Sequence, residues 1–142
     1  MLHQEFYNFP SAFYSHHSFN PESVLGVLCS GGTLCNITAM WAARNAALPP
    51  KEGFEGVESE GLLRALEVYG YKAAAIVGSR MMHYSMKKAA DLLGIGEKGL
   101  KVIDTDAGFH VQVDEVRKTV VEMRRKRILV IAIVGIAGTT EA

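Results

Sequence analysis

Ile128-Leu129-Val130-Ile131-Ala132-Ile133-Val134 is a run of seven apolar residues without interruption. That is strand length, and a strand with no polar alternation is covered on both faces. The segment before it has another period. Val113, Val116, Val120 and Met123 recur at i, i+3, i+7 and i+10, the stripe of an amphipathic helix. Asp114 and Glu115 stand near the start of that helix and Arg124, Arg125 and Lys126 at its end, as its dipole favours. Gln112 occupies the place where an aspartate cap is common, which weakens the helix start. The alternation extends upstream. Ala73 to Val77 and Leu100 to Ile103 are short apolar runs. Leu62, Leu63, Leu66 and Tyr69 mark a helix ended by Gly70, and Met86, Ala89, Ala90 and Leu93 mark another stopped at Gly94 or Gly96. Doubly apolar strands alternating with striped helices predict an α/β fold, with a mostly parallel sheet and helices on both faces.

Further upstream, Val24-Leu25-Gly26-Val27-Leu28-Cys29 also reads as a buried strand, followed by Ser30-Gly31-Gly32-Thr33. A helix follows, with Leu34, Ile37, Trp41 and Leu48 near one face. A turn through two glycines into a helix leaves free N–H groups at the positive end of the helix dipole, a setting that suits an anion, usually phosphate. The same tetrapeptide also fits a tight turn in which Thr33 caps the helix. Residues 1–23 hold six aromatic residues with Pro10 and Pro21, too apolar for a disordered tail. They read as an irregular segment that packs on the domain formed by residues 24–142. His16-His17 is a poor metal pair, because adjacent side chains do not share a face.

Ligands of parallel α/β sheets bind at the carboxyl ends of strands. Three segments leave strand ends here: Ser30 to Thr33, Ser79 to His83, and Gly135 to Thr140. The expected arrangement places all three on one sheet edge. His83 falls at the start of a helix, where an imidazole caps the helix, stacks on a flat ligand or moves a proton. Gly135-Ile136-Ala137-Gly138-Thr139-Thr140 combines small residues with two hydroxyls, suited to close approach of a ligand and equally to an ordinary turn.

Composition narrows the partners. The 142 residues are 49% apolar and 21% charged, and fifteen basic residues balance fifteen acidic ones. A neutral chain gives no electrostatic reason to bind nucleic acid or an anionic membrane. The longest apolar run is far short of the roughly 20 residues that span a bilayer. The first residues lack the basic-then-apolar order of a secretory signal, so a cytoplasmic protein is expected. Cys29 and Cys35 lack metal-ligand spacing and no His cluster accompanies them, so no metal site is expected. A disulfide between them is not expected in a reducing cytosol. No G-x-x-x-x-G-K-[ST] occurs, nor a G-x-G-x-x-G at a strand–helix junction, which disfavours a nucleotide-binding domain.

Taken in order, VLGVLCSGGTLCNITAMWAARN (24–45), HYSMKKAADLLGIG (83–96) and VGIAGTTE (134–141) resemble segments of the group II pyridoxal-phosphate-dependent amino acid decarboxylases. The resemblance runs from Val24 to the last residue. It implies the first part of a fold-type I large domain, with pyridoxal 5′-phosphate as cofactor. Gly32 and Thr33 match the family's phosphate-loop positions. His83 matches the histidine that stacks on the pyridine ring and helps position substrate, and Thr140 matches a residue beside the cofactor. The resemblance further implies a carboxy-lyase acting on a small amino acid, and a homodimer. The His-Tyr-Ser form of 83–85 is closer to members that act on glutamate or aspartate than to those acting on aromatic substrates. The family's His-Val-Asp-Ala motif and its Schiff-base lysine, usually preceded by His, are not found in these residues. The expectation is therefore a fragment, inactive by itself. The alternative is a non-catalytic piece that binds a phosphate-bearing ligand or only packs on a partner.

Overall fold

The computed structural model describes residues 5, 7–18 and 26–138, with the backbone only at 16–18. The chain divides into two compact units, residues 1–35 and 36–142.

In the first unit, helix α1 spans Ser11–Ser18. The irregular segment expected at the N-terminus is thus corrected over these residues. The helix begins directly after Pro10, whose carbonyl accepts the Phe13 N–H at 2.9 Å. Phe9, just ahead of the helix, and Phe13 meet edge to face at 5.1 Å, and Phe13 meets Tyr14 the same way at 5.2 Å. Tyr14 is buried, and its hydroxyl accepts the Phe9 N–H at 3.2 Å. Aromatic contacts within the segment help to hold this helix in place. The predicted strand at 24–29 is also corrected. Gly26 to Cys29 form no strand, and Leu28 is 94% exposed. Val24 and Leu25 lie outside the described residues.

Helix α2, Gly32–Ala47, follows, and then α3, Val57–Tyr69. Gly61 takes φ 79° inside α3, a value that only glycine accepts readily, and kinks the helix there. Gly70 ends α3 in the left-handed conformation. Its N–H reaches the Glu67 carbonyl and the Tyr71 N–H reaches that of Leu66, which satisfies two carbonyls left over at the helix end. Strand β1 is Ala73–Ser79 and α4 is Ser85–Leu92. A 3₁₀ turn at Glu97–Gly99 leads into β2, Leu100–Ile103; α5 is Val113–Arg125 and β3 is Ile128–Val134.

Among the described residues the sheet has three parallel strands in the order β2-β1-β3. Ile76 pairs with Leu100 on one side, and Ala73 with Ile128 on the other, with an irregularity between Ala75 and Ile76. Alternation along β1 sorts the core. Ala74 and Ile76 pack with Leu66, Ala90 and Ile131, against which Met40, Ala47 and Leu62 also rest. Ala75 and Val77 face the other way, onto Met123 with Val116 and Val120 of α5. Helices thus cover both faces of β1, as the apolar runs required. The α2 stripe is revised: Leu34 and Trp41 are exposed, whereas Met40, Ala47 and Leu48 make the packing face. Met40 and Ala47 are seven residues apart, and Asn36 extends the same face by one more turn.

Candidate active site

β1 is central, and the chain leaves it first toward β2 and then crosses to β3. The carboxyl ends of β1 and β3 therefore diverge at a point where the strand order reverses, the usual location of a ligand crevice in open α/β sheets. A cleft of about 610 Å³ lies there. Its walls include Arg80, His83 and Met86 after β1, Gly135 to Gly138 after β3, and Asn36 of α2. A second hollow of about 380 Å³ shares Met81 and Ile136 with it and is closed by Phe109 and His110.

The turn out of β1 is built by Ser79. Its carbonyl accepts the Met82 N–H at 3.0 Å, and its hydroxyl accepts the Met81 N–H at 3.1 Å. This serine turn swings the chain off the sheet edge and sets His83 just ahead of α4. His83 is exposed on the cleft wall, and its ring lies 4.2 Å from that of Tyr84, tilted by 44°. Its Nδ1 is 2.8 Å from the hydroxyl of Ser85 and accepts the Ser85 backbone N–H at 3.3 Å. A first-turn N–H has no partner within its own helix, so His83 supplies one from outside. Capping the helix and lining the cleft are compatible for this residue: one ring nitrogen does the first, and the other edge of the ring remains available for the second.

Ser85 is fully buried, and its hydroxyl also accepts a hydrogen bond from the Asn36 amide at 2.8 Å. Asn36, Ser85 and Arg80 were not singled out in the sequence. The Arg80 guanidinium stands on the cleft wall, 3.5 Å from Asp104 and largely solvent-exposed, so that its charge is weakly engaged.

Gly32 and Thr33 form the first turn of α2, in the first unit. The first hydrogen bond at this end runs from Cys35 N–H to the Gly31 carbonyl, at 3.0 Å. The N–H groups of Gly32, Thr33 and Leu34 therefore precede the ladder. The first turn contains no acidic residue, and a Cβ built at Gly31 or Gly32 would meet nothing within 4 Å. These donors, with the Thr33 hydroxyl, suit the phosphate of a pyridoxal 5′-phosphate and leave room for its approach. The Cys35 thiol in the same turn is pushed above its usual pKa, first by its hydrogen bond with Cys29, and no disulfide joins the two. Thr140 lies outside the described residues. Among the described residues no group of three or more His, Cys, Asp and Glu could hold a metal, and no helix is long and apolar enough to cross a membrane.

No family model matches the chain. Individual proteins do. It is 44% identical over 141 residues to an aspartate 1-decarboxylase of Aliivibrio fischeri, a match that covers 99% of this chain and 26% of that protein. It is 33% identical over 116 residues to a probable L-tyrosine/L-aspartate decarboxylase of Methanothermobacter thermautotrophicus, covering 82% of this chain and 23% of that one. Among solved structures, the glutamate decarboxylase domain of a diaminobutyrate-pyruvate transaminase and L-2,4-diaminobutyrate decarboxylase from Vibrio parahaemolyticus superposes with a TM-score of 0.70. The match is at 27% identity, over 92% of this chain and 29% of that one. Mouse CSAD shares the fold, with a TM-score of 0.64 over 78% of this chain and 21% of that one. The chain thus spans about a quarter of the length of the curated relatives it matches. In sequence along nearly its whole length, and in fold, it is a relative of the group II pyridoxal-phosphate-dependent amino acid decarboxylases.

Proposed function

We infer that these residues form part of the cofactor-binding domain of a pyridoxal-phosphate-dependent decarboxylase that removes the α-carboxylate of an acidic amino acid, aspartate or glutamate. The observation that carries this reading is the 44% identity to an aspartate 1-decarboxylase over 141 residues. The weakly engaged Arg80 on the cleft wall supports an acidic substrate, since it offers a positive charge to a second carboxylate. Pyridoxal phosphate, when bound, supplies the electron sink for the pair released as carbon dioxide leaves. The chain's own residues bind and orient. The N–H groups at Gly32 and Thr33, with the Thr33 hydroxyl, hold the phosphate. His83 packs its ring on the cofactor and presents a polar edge to the substrate; the family resemblance assigns Thr140 to the cofactor as well. The protein works as a homodimer in the cytoplasm.

The test uses the native product of the gene that encodes these residues, purified with pyridoxal phosphate. Carbon dioxide release is assayed with aspartate, glutamate and tyrosine. Turnover of an acidic substrate in preference to tyrosine, and a raised KM for that substrate in Arg80→Ala, support the reading. Preference for tyrosine, or no turnover of any of the three, overturns it.

A further inference from the structure

We propose that Ser85, itself anchored by Asn36, is a positioning residue that fixes neutral His83 as the Nε2–H tautomer, leaving a hydrogen-bond donor on the cleft wall. Two contacts from Ser85 converge on Nδ1; the backbone one gives the direction, and the shorter hydroxyl one strengthens it. The Ser85 N–H points at His83 Nδ1 at 3.3 Å, and a backbone amide can only donate. Nδ1 must then carry a lone pair, because a proton on it would face the amide proton. The side chains agree. The Asn36 amide donates to the Ser85 oxygen at 2.8 Å, which leaves the single Ser85 O–H free to donate to Nδ1, also at 2.8 Å. Proton direction is thus continuous: Asn36 to Ser85, Ser85 to His83. With Nδ1 occupied as an acceptor, the neutral imidazole has its proton on Nε2.

Burial makes the relay directional. Ser85 is fully buried, so water does not compete for its hydroxyl, and the helix start holds its amide in place. Nε2 has no hydrogen-bond partner among the described residues. It therefore offers one N–H to an acceptor in the cleft, and a carboxylate oxygen is the acceptor chemistry that fits best. No proton is transferred in this role. That His83 meets a substrate carboxylate rests on the function proposed above; the tautomer and its control by Ser85 do not.

The experiment reads the tautomer directly. The full chain is labelled with ¹⁵N-histidine, and its ring nitrogens are recorded by long-range ¹H–¹⁵N correlation above the pH at which the ring protonates, with no cofactor present. His83 signals are assigned by their loss in His83→Asn. Nδ1 is expected at the lone-pair position and Nε2 at the protonated position. Ser85→Ala should move the Nδ1 resonance part of the way toward the protonated position, and Asn36→Ala should do the same to a smaller extent. Ser85→Thr, which keeps the hydroxyl, should restore it. A protonated Nδ1 in the unaltered chain overturns the proposal whether or not any variant folds. So does an unchanged Nδ1 resonance in a folded Ser85→Ala. Because no cofactor is added, a failure here is distinct from a failure of the decarboxylase reading, which the carbon dioxide assay reports separately.

Discussion

Gly78 pairs with Val134 across β1 and β3, and the sulfur of Met82 fills the space that a Cβ at position 78 would need. The Val134 backbone carbonyl is a second obstacle, at 3.1 Å from that Cβ position. The sheet centre and the cleft lining are thus in contact through one missing methyl group. Gly78→Ala should displace Met82 and strain the β1–β3 ladder, costing about 1–3 kcal/mol of stability as overpacking does. Thermal unfolding checks this: a lowered Tm is expected, and an unchanged one would show that Met82 simply swings aside.

Thr33→Ala removes a hydroxyl from the proposed phosphate cradle without disturbing any buried core residue. A hydrogen bond to a charged group contributes about 1.5–3 kcal/mol, so cofactor affinity should fall by roughly 10- to 150-fold. Equilibrium dialysis of pyridoxal phosphate against the protein carrying the substitution is the measurement. Equal affinity in the two proteins would mean that the Thr33 hydroxyl does not hold the phosphate.

The loop after β2 is organised by Asp106. Its Oδ1 accepts the N–H groups of Gly108 and His110, each at 2.9 Å, and the His110 ring stands 3.4 Å away. These contacts, the His110 N–H first, hold the Asp106 carboxyl below its usual pKa. A group whose folded pKa is depressed contributes stability above its unfolded value, and that stability is lost as pH falls through the folded value. Loop order should therefore persist down to about 3.9, the ordinary Asp value, and be lost below it. The amide shifts of Gly108 and His110, followed by NMR through an acid titration, should show one shared midpoint below that value. Asp106→Asn should abolish the titration; a midpoint above the ordinary value would contradict the assignment.

Cys29→Ala removes the main cause of the raised Cys35 pKa. The thiolate fraction of Cys35 then rises at about pH 8, and the thiolate is the reactive form. Iodoacetamide should label Cys35 faster in the variant, as read by site-resolved mass spectrometry. An unchanged rate would mean that the two thiols do not interact in solution.

The limits of β3 were legible because an unbroken run of seven apolar residues has strand length, and Ile128–Val134 is what forms. The cover expected on both of its faces is not complete, since Ile131 is buried but Ile133 is exposed. Val24 to Cys29 has nearly the same composition and misled for an instructive reason. Apolar character by itself secured neither burial nor pairing over the described part of this run: Gly26 to Cys29 form no strand, and Val27 and Leu28 are exposed. Helix α1 was missed because Pro10 and the aromatic cluster read as breaks, although proline directly before a helix is itself a start signal. The position of His83 on the cleft wall could be read from its place after β1. Its partner could not, since Asn36 and Ser85 are 49 residues apart and only the packing of α2 beside α4 brings them together. Arg80 was overlooked for the opposite reason: a single arginine in a turn is unremarkable until a cleft forms around it.

β3 lies at the border of the described sheet, and Ile133 is more than half exposed. Its outer row of backbone donors and acceptors dictates the direction and pleat of any strand that joins it, whether from the same polypeptide or another. The chain's behaviour in solution therefore carries a concentration dependence. Dilution favours a bare border and crowding favours its occupation, so sedimentation, light scattering and spectra recorded at different protein loads should report different populations.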